Sequence, residues 1–422
     1  MRDPLLADER EALLQAKRPR VALPTIKPRR SLPLLQEARP IDQRTRPRLA
    51  VWELTLRCDQ ACRHCGSRAG SARPHELSTA ECLDLVRQLA ELGVMEVTVI
   101  GGEAYLKPDF LEIVRAIRAR GMYCTMTTGG RGIDAALAAS LAEAGLGSAS
   151  VSIDGGETTH DRLRGSGSYA AAVGAIRALR EAGVITTVNT QINRLSMPDL
   201  PGVLDMMIRE GVEAWQVMLT VAMGRAVDEP EVLLQPYDLL ELFPLVDALA
   251  ERCRETGVKF YPGNNLGYFG PYESRLRGGL ARGHKGSCGA GRTTLGIESD
   301  GLIKGCPSLT SDQWGGGTIR DHSLVDLWER ASALRYTRDR TVEDLAGYCR
   351  TCYYADTCRA GCTWTGSVLF GKPGDNPYCH HRAIERDREG LRERLVRREA
   401  APGEPFDHGL FDLILEPRNG SP

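Results

Sequence analysis

Cys58, Cys62 and Cys65 are spaced C-x3-C-x2-C and follow an apolar run, Leu49–Leu56, that reads as a strand. The spacing supplies three thiolates on one short loop. A cubane [4Fe–4S] cluster has four irons and usually takes four cysteines. Three thiolates leave one iron free for a small molecule, so the loop predicts an open catalytic cluster rather than an electron wire. Zinc also takes clustered thiolates, but zinc knuckles favour C-x2-C pairs, and a lone C-x3-C-x2-C after a strand matches them poorly.

Other residues of chemical interest follow later strand-like runs. Gly101-Gly-Glu103 closes the second run. Two glycines allow close backbone approach to a ligand, and their carbonyls with the Glu103 carboxylate can accept from an ammonium group. A tight β-α turn is the plainer reading. After the fourth run come Ser152-Ile-Asp-Gly155 and His160-Asp-Arg-Leu-Arg-Gly165. Ser152 and Asp154 can bond hydroxyls, and Arg164 can pair with a carboxylate. Each can equally be a satisfied turn residue.

Seven more cysteines recur after residue 280. Cys288 precedes Cys306 by a spacer containing Gly301; Cys349-x2-Cys352-x5-Cys358-x3-Cys362 and Cys379 follow. They can hold clusters, zinc ions, or simply staple a loop-rich region as metals do in small domains. Cys82, Cys124 and Cys253 lie in helical or strand patterns and read as small buried hydrophobes.

The loop Cys58-Asp-Gln-Ala-Cys-Arg-His-Cys65 resembles the signature of the radical S-adenosylmethionine (radical SAM) enzymes, with His64 where an aromatic residue is usual. The C-terminal cysteines resemble the SPASM domain, an extension of such enzymes. The resemblance implies SAM chelated on the open iron and cleaved to a 5′-deoxyadenosyl radical. It implies SAM contacts at Gly101, Gly102 and Glu103, although Ala104 stands where proline is general, and at Ser152, Asp154 and Arg164. It also implies three [4Fe–4S] clusters. Beside the first, one auxiliary cluster takes Cys349, Cys352, Cys358 and Cys379. The other takes Cys288, Cys306 and Cys362, with its fourth ligand missing, because Gly289–Thr294 contains no cysteine. The implied activity is hydrogen abstraction from a peptide or protein, giving an oxidative or crosslinking modification, with a reductant such as flavodoxin or ferredoxin as partner. A radical SAM dehydrogenase of a small molecule and a non-catalytic iron–sulfur electron carrier or scaffold remain the alternatives.

The elements that must position these residues alternate. Strand candidates Leu49–Leu56, Glu96–Ile100, Tyr123–Thr127, Ser148–Ile153, Ile185–Gln191 and Ala214–Leu219 are separated by segments of helical period. Ser78-Thr-Ala-Glu81 reads as a capping box, and glycines follow several helices where a left-handed residue is wanted. Alternation of this kind predicts an α/β fold with parallel strands and outer helices. A partial six-unit barrel fits, with chemistry at the carboxyl ends of the strands. The expected layout is a basic, proline-rich extension over 1–48, with twelve basic against six acidic residues, then a partial barrel over 49–270. A loop-rich iron–sulfur domain follows over 271–385, and a charged tail over 386–422.

The 422 residues are 42% hydrophobic with net charge −1. Near-neutrality argues against a polyelectrolyte such as nucleic acid as the main partner. No apolar run reaches the roughly 18–20 residues that span a bilayer, and the first residues lack the apolar core of a signal peptide. A cytoplasmic location is expected. Thirteen cysteines there predict metal or redox work rather than disulfides.

Overall fold

The computed structural model describes residues 33–277 and 287–418; the first 32 residues of the expected N-terminal extension lie outside this range. Nine strands form one sheet in the order β7-β6-β5-β4-β3-β2-β1-β8-β9. They are β1 Leu49–Glu53, β2 Glu96–Ile100, β3 Tyr123–Thr128, β4 Ser148–Ser152, β5 Ile185–Ile192, β6 Ala214–Leu219, β7 Lys259–Pro262, β8 Thr294–Ile297 and β9 Ile303–Lys304. β1 to β8 are parallel neighbours, and only β9 runs antiparallel. The ends do not meet, so the barrel is open.

The six expected strands form with outer helices between them, and the first two of these helices follow directly from their sequences. Thr79–Leu92 starts on Ser78, whose side chain accepts from Glu81 N–H while Glu81 accepts from Ser78 N–H at 2.8 Å. It stops at Gly93, whose φ of +89° disfavours any residue with a Cβ. Its Leu85 and Leu89 are fully buried, as are Ile113 and Ile117 of the next helix, Phe110–Ala119. Each such side chain contributes about 1.5–3 kcal/mol by leaving water. Helix Glu157–Arg164 was not foreseen; its polar sequence reads as a loop.

The sheet does not end with the sixth unit. β7 extends one edge, and β8, from the C-terminal region, pairs with β1 along Leu49–Trp52. One continuous apolar core runs from Ala50 to Phe411, so no gap in packing separates residues 49–270 from 271–385. Within the expected charged tail, residues 391–417 are ordered as a hairpin. β10 Leu391–Glu399 and β11 Leu410–Pro417 form an antiparallel hairpin. Charge hides the strand pattern: Glu393 and Leu395 face inward, and Glu393 is paired by Arg382. Cross-strand pairs such as Arg392–Glu416 cover the outside.

Residues 33–48 lie against helices Leu324–Arg330 and Ser332–Asp339. Buried Asp42 pairs with Arg335 and Arg338 at 2.8 Å each, and Trp328 Nε1 donates to Thr45 O. Among the described residues no helix is long and apolar enough to cross a membrane.

Candidate SAM and iron–sulfur site

The loop carrying Cys58, Cys62 and Cys65 leaves the carboxyl end of β1 and borders an open cleft of about 1230 Å³, counting space open to solvent. All three cysteines line it, with Gly101, Gly102, Glu103, Ser152 and Arg164. The carboxyl ends of β1, β2 and β4, with the helix after β4, therefore deliver the expected residues to one place. Backbone bonds fix the loop's base: Gly102 N–H donates to Thr55 O and Glu103 N–H to Arg57 O, both at 2.8 Å. A Cβ at Gly101 would overlap Thr55 O, and one at Gly102 would overlap Arg57 O. The two glycines thus admit the close approach of the backbone that leads into the cysteine loop.

Glu103 is 3% exposed. Thr128 Oγ1 and Gly129 N–H each donate to its carboxylate at 2.6 Å. Burial outweighs these donors and pushes its pKa up to about 7. A carboxylate so held favours a cation beside it.

Asp154 lies behind the wall rather than in the cleft. It is fully buried and accepts from His64 Nε2 at 2.8 Å, Arg164 Nε at 2.5 Å and Gln191 N–H at 2.8 Å. Full burial pushes its carboxyl up, but Arg164 and His64 overcome this and hold it well below the ordinary range. Three donors already face it, so in this arrangement Asp154 orients Arg164 and His64. Arg164 keeps its outer nitrogens toward the cleft, one of them 3.9 Å from Cys62 Sγ.

The other seven cysteines fall into two sets. Cys306 is influenced by the charges of Cys288 and Cys362. Cys358 is influenced by Cys379 and Cys352, Cys379 by Cys352, and Cys349 by Cys379. Burial pushes Cys306 and Cys358 up to about 12. Between the sets stands Tyr268, whose hydroxyl accepts from Cys362 N–H at 2.9 Å. Cys82, Cys124 and Cys253 are in the apolar core.

The model of the radical SAM superfamily matches residues 52–203, and that of the SPASM iron–sulfur cluster-binding domain matches 288–353. The mycofactocin maturase MftC of Mycobacterium ulcerans is 32% identical over 340 residues, covering 78% of this chain and 86% of that protein. This chain belongs to the radical SAM superfamily. It is an iron–sulfur protein of the SPASM-bearing kind, with SAM as its cofactor. An AdoMet-dependent heme synthase of Oleidesulfovibrio alaskensis is 29% identical, covering 79% of this chain and 87% of that protein. In fold the chain resembles Streptococcus suis SuiB bound to its precursor peptide SuiA, with a TM-score of 0.60 and 18% identity over 79% of this chain and 75% of that one.

The radical SAM donor set fits the groups it must hold. Three thiols border the cleft with a buried acid beside them, and Cys58, Asp59 and Glu103 can bring their ligand atoms within 4.8 Å of one another. Sequence reasoning missed the residues that brace this set. Arg225, after β6, donates to Cys62 O at 2.6 Å and to Ala69 O at 3.1 Å. Arg68 is held by Asp407 at 2.7 Å and by Asp228 at 2.6 Å. Phe406, from the β10–β11 loop, lines the cleft with Lys304 Nζ 4.1 Å from its ring centroid. No local motif marks these contacts, since each joins segments far apart in sequence.

Proposed function

We propose that this chain is a maturase that abstracts hydrogen from a peptide or protein substrate and leaves an oxidative or crosslinking modification. It would hold three [4Fe–4S] clusters: one on Cys58, Cys62 and Cys65, one on Cys288, Cys306 and Cys362, and one on Cys349, Cys352, Cys358 and Cys379. The first cluster with SAM supplies the 5′-deoxyadenosyl radical. The chain's own residues bind and orient. Glu103 takes the SAM ammonium, Arg164 the carboxylate, and Ser152 a ribose hydroxyl, while Asp154 fixes Arg164. A flavodoxin or ferredoxin would supply the electron.

The observation that favours a peptide is the chemistry of the cleft's mouth. Met218, Val221, Met223, Trp364 and Phe406 give it an apolar, partly aromatic wall. Among the described lining residues the only arginines or lysines are Arg164, which the SAM carboxylate would occupy, and Arg225, which is committed to Cys62 O and Ala69 O. A heme-type tetrapyrrole carries propionate carboxylates, whose burial calls for free cations. An apolar peptide side chain needs none. MftC, a maturase by name, and SuiB, bound to a precursor peptide, support the same choice.

The test is to incubate the reduced holoenzyme with SAM and either a synthetic peptide from any short reading frame found beside its gene or an iron tetrapyrrole, and to analyse both by mass spectrometry. Loss of two hydrogens from the peptide, or a new crosslink, is expected. Decarboxylation of the tetrapyrrole with the peptide untouched would replace this reading.

A further inference from the structure

Seven C-terminal thiols leave one auxiliary set short of a ligand, and the pocket around that set contains an unexplained polar group. Tyr336 lies in helix Ser332–Asp339. Its ring centroid is 4.4 Å from that of Trp314, and a Cβ on Gly305, the residue before Cys306, would stand 3.1 Å from its Cε1. Thr337, next to it, donates to Ala290 O, two residues beyond Cys288. Arg340, 5.7 Å from the Tyr336 ring centroid, donates to Thr363 Oγ1 at 2.9 Å, next to Cys362. This helix end therefore reaches all three segments that carry Cys288, Cys306 and Cys362.

The Tyr336 hydroxyl is enclosed and has no hydrogen-bond partner among the described residues, and the same holds for the Trp314 indole N–H. Buried polar groups are rarely left unpaired, and a native orphan needs an explanation. Here two adjacent donors lack an acceptor. The charges of Cys288, Cys306 and Cys362 act on the phenol, and burial raises its pKa well above the ordinary value. A cluster offers only acceptors, its sulfides and thiolates, and is the kind of group these donors require.

We infer that Tyr336 is a positioning residue of the auxiliary cluster, its hydroxyl donating a hydrogen bond to the sulfur shell held by Cys288, Cys306 and Cys362. The inference rests on the reading of those three cysteines as cluster ligands. Hydrogen bonds to cluster sulfur help set reduction potential. The reduced cluster is the more negative, so the donor stabilises it more and raises the potential.

The experiment uses the full chain, reconstituted anaerobically, with Tyr336→Phe to remove the hydroxyl and keep the ring. Potentiometric titration read by electron paramagnetic resonance should find one cluster at a lower potential, two unchanged, and iron content as in wild type. Wild type exchanged into D2O should display a deuteron coupled to that cluster by electron–nuclear double resonance, and the variant should lack it. Unchanged potentials overturn the inference. So does a phenolate-to-iron band in wild type, which would make Tyr336 a ligand. Absence of any coupled deuteron in wild type also overturns it, without recourse to the variant. Replacing Cys288, Cys306 and Cys362 together with Ala identifies the cluster. If that change removes no iron, the ligand reading fails and the inference with it; if it removes one cluster and the potentials are unmoved, the inference alone fails.

Discussion

Glu103 and Gly102 divide the work at the end of β2. Glu103 offers a buried carboxylate already oriented by Thr128 and Gly129. Removing it in Glu103→Ala should weaken SAM binding by about one to two decades, the worth of one charged hydrogen bond at roughly 1.5–3 kcal/mol. Equilibrium dialysis on the reconstituted protein measures this, and unchanged affinity would count against the assignment. Gly102 offers only the absence of a side chain. Gly102→Ala drives a methyl group into Arg57 O and against Cys58. The reconstituted variant should lose about four irons, one cubane cluster, by colorimetric iron assay. The sequence marked both residues because their chemistry is local: an acid, and glycines at a strand end. It left Asp154 open between a hydroxyl contact and a satisfied residue because the type of a residue does not reveal which neighbours already bond its oxygens. Those neighbours, His64, Arg164 and Gln191, come from three separate segments.

Among the elements, the cysteine loop depends on braces from two distant places. Arg225 holds it from the end of β6, and the β10–β11 loop holds it through Asp407. Asp407 also accepts from the N–H groups of Gly403 and Glu404, which fixes its own turn. Asp407→Ala leaves Arg68 with Asp228 alone. The loop should open about tenfold more often for the loss of one charged hydrogen bond. Loss of the first cluster to a chelator, followed by absorbance, should quicken accordingly while the auxiliary clusters persist. Equal rates would leave the hairpin without this role. The six barrel strands and their helices were legible because period, caps and helix-ending glycines agree within short windows. β8 was not, being four residues, Thr294–Ile297, set among turns. β10 was not, because its arginines and glutamates mask the alternation.

Across the whole molecule, buried charges tie the parts together. Arg73 pairs with Glu53 at 2.8 Å and with Glu298 at 3.3 Å, and Glu298 pairs with Lys304 at 2.7 Å, so barrel and C-terminal region share one ionic cluster. Asp42 ties residues 33–48 to helix Ser332–Asp339 in the same way. Burial pushes its carboxyl up, but the Arg39 and Arg338 guanidiniums hold it down at about 2, against an ordinary 3.8. A depressed carboxyl stabilises the fold above its ordinary pKa, and that contribution is lost as pH falls through about 2. At neutral pH, Asp42→Ala leaves Arg335 and Arg338 without it and should cost about 3–5 kcal/mol, the typical price of breaking a buried pair. A lower Tm and faster proteolysis within residues 33–48 are expected. Such long-range pairs leave no trace in a local pattern, so the sequence did not show that one apolar cluster joins residues 49–270 to the C-terminal region. The central claim, three clusters with SAM cleavage confined to the first, is tested most directly by measuring iron and 5′-deoxyadenosine on the same anaerobically reconstituted samples. Wild type should hold about twelve irons, as three four-iron clusters require, and form 5′-deoxyadenosine when reduced. The chain with Cys58, Cys62 and Cys65 all changed to Ala should hold about eight and form none. A wild type with about four irons, or a triple variant that still cleaves SAM, would contradict the account.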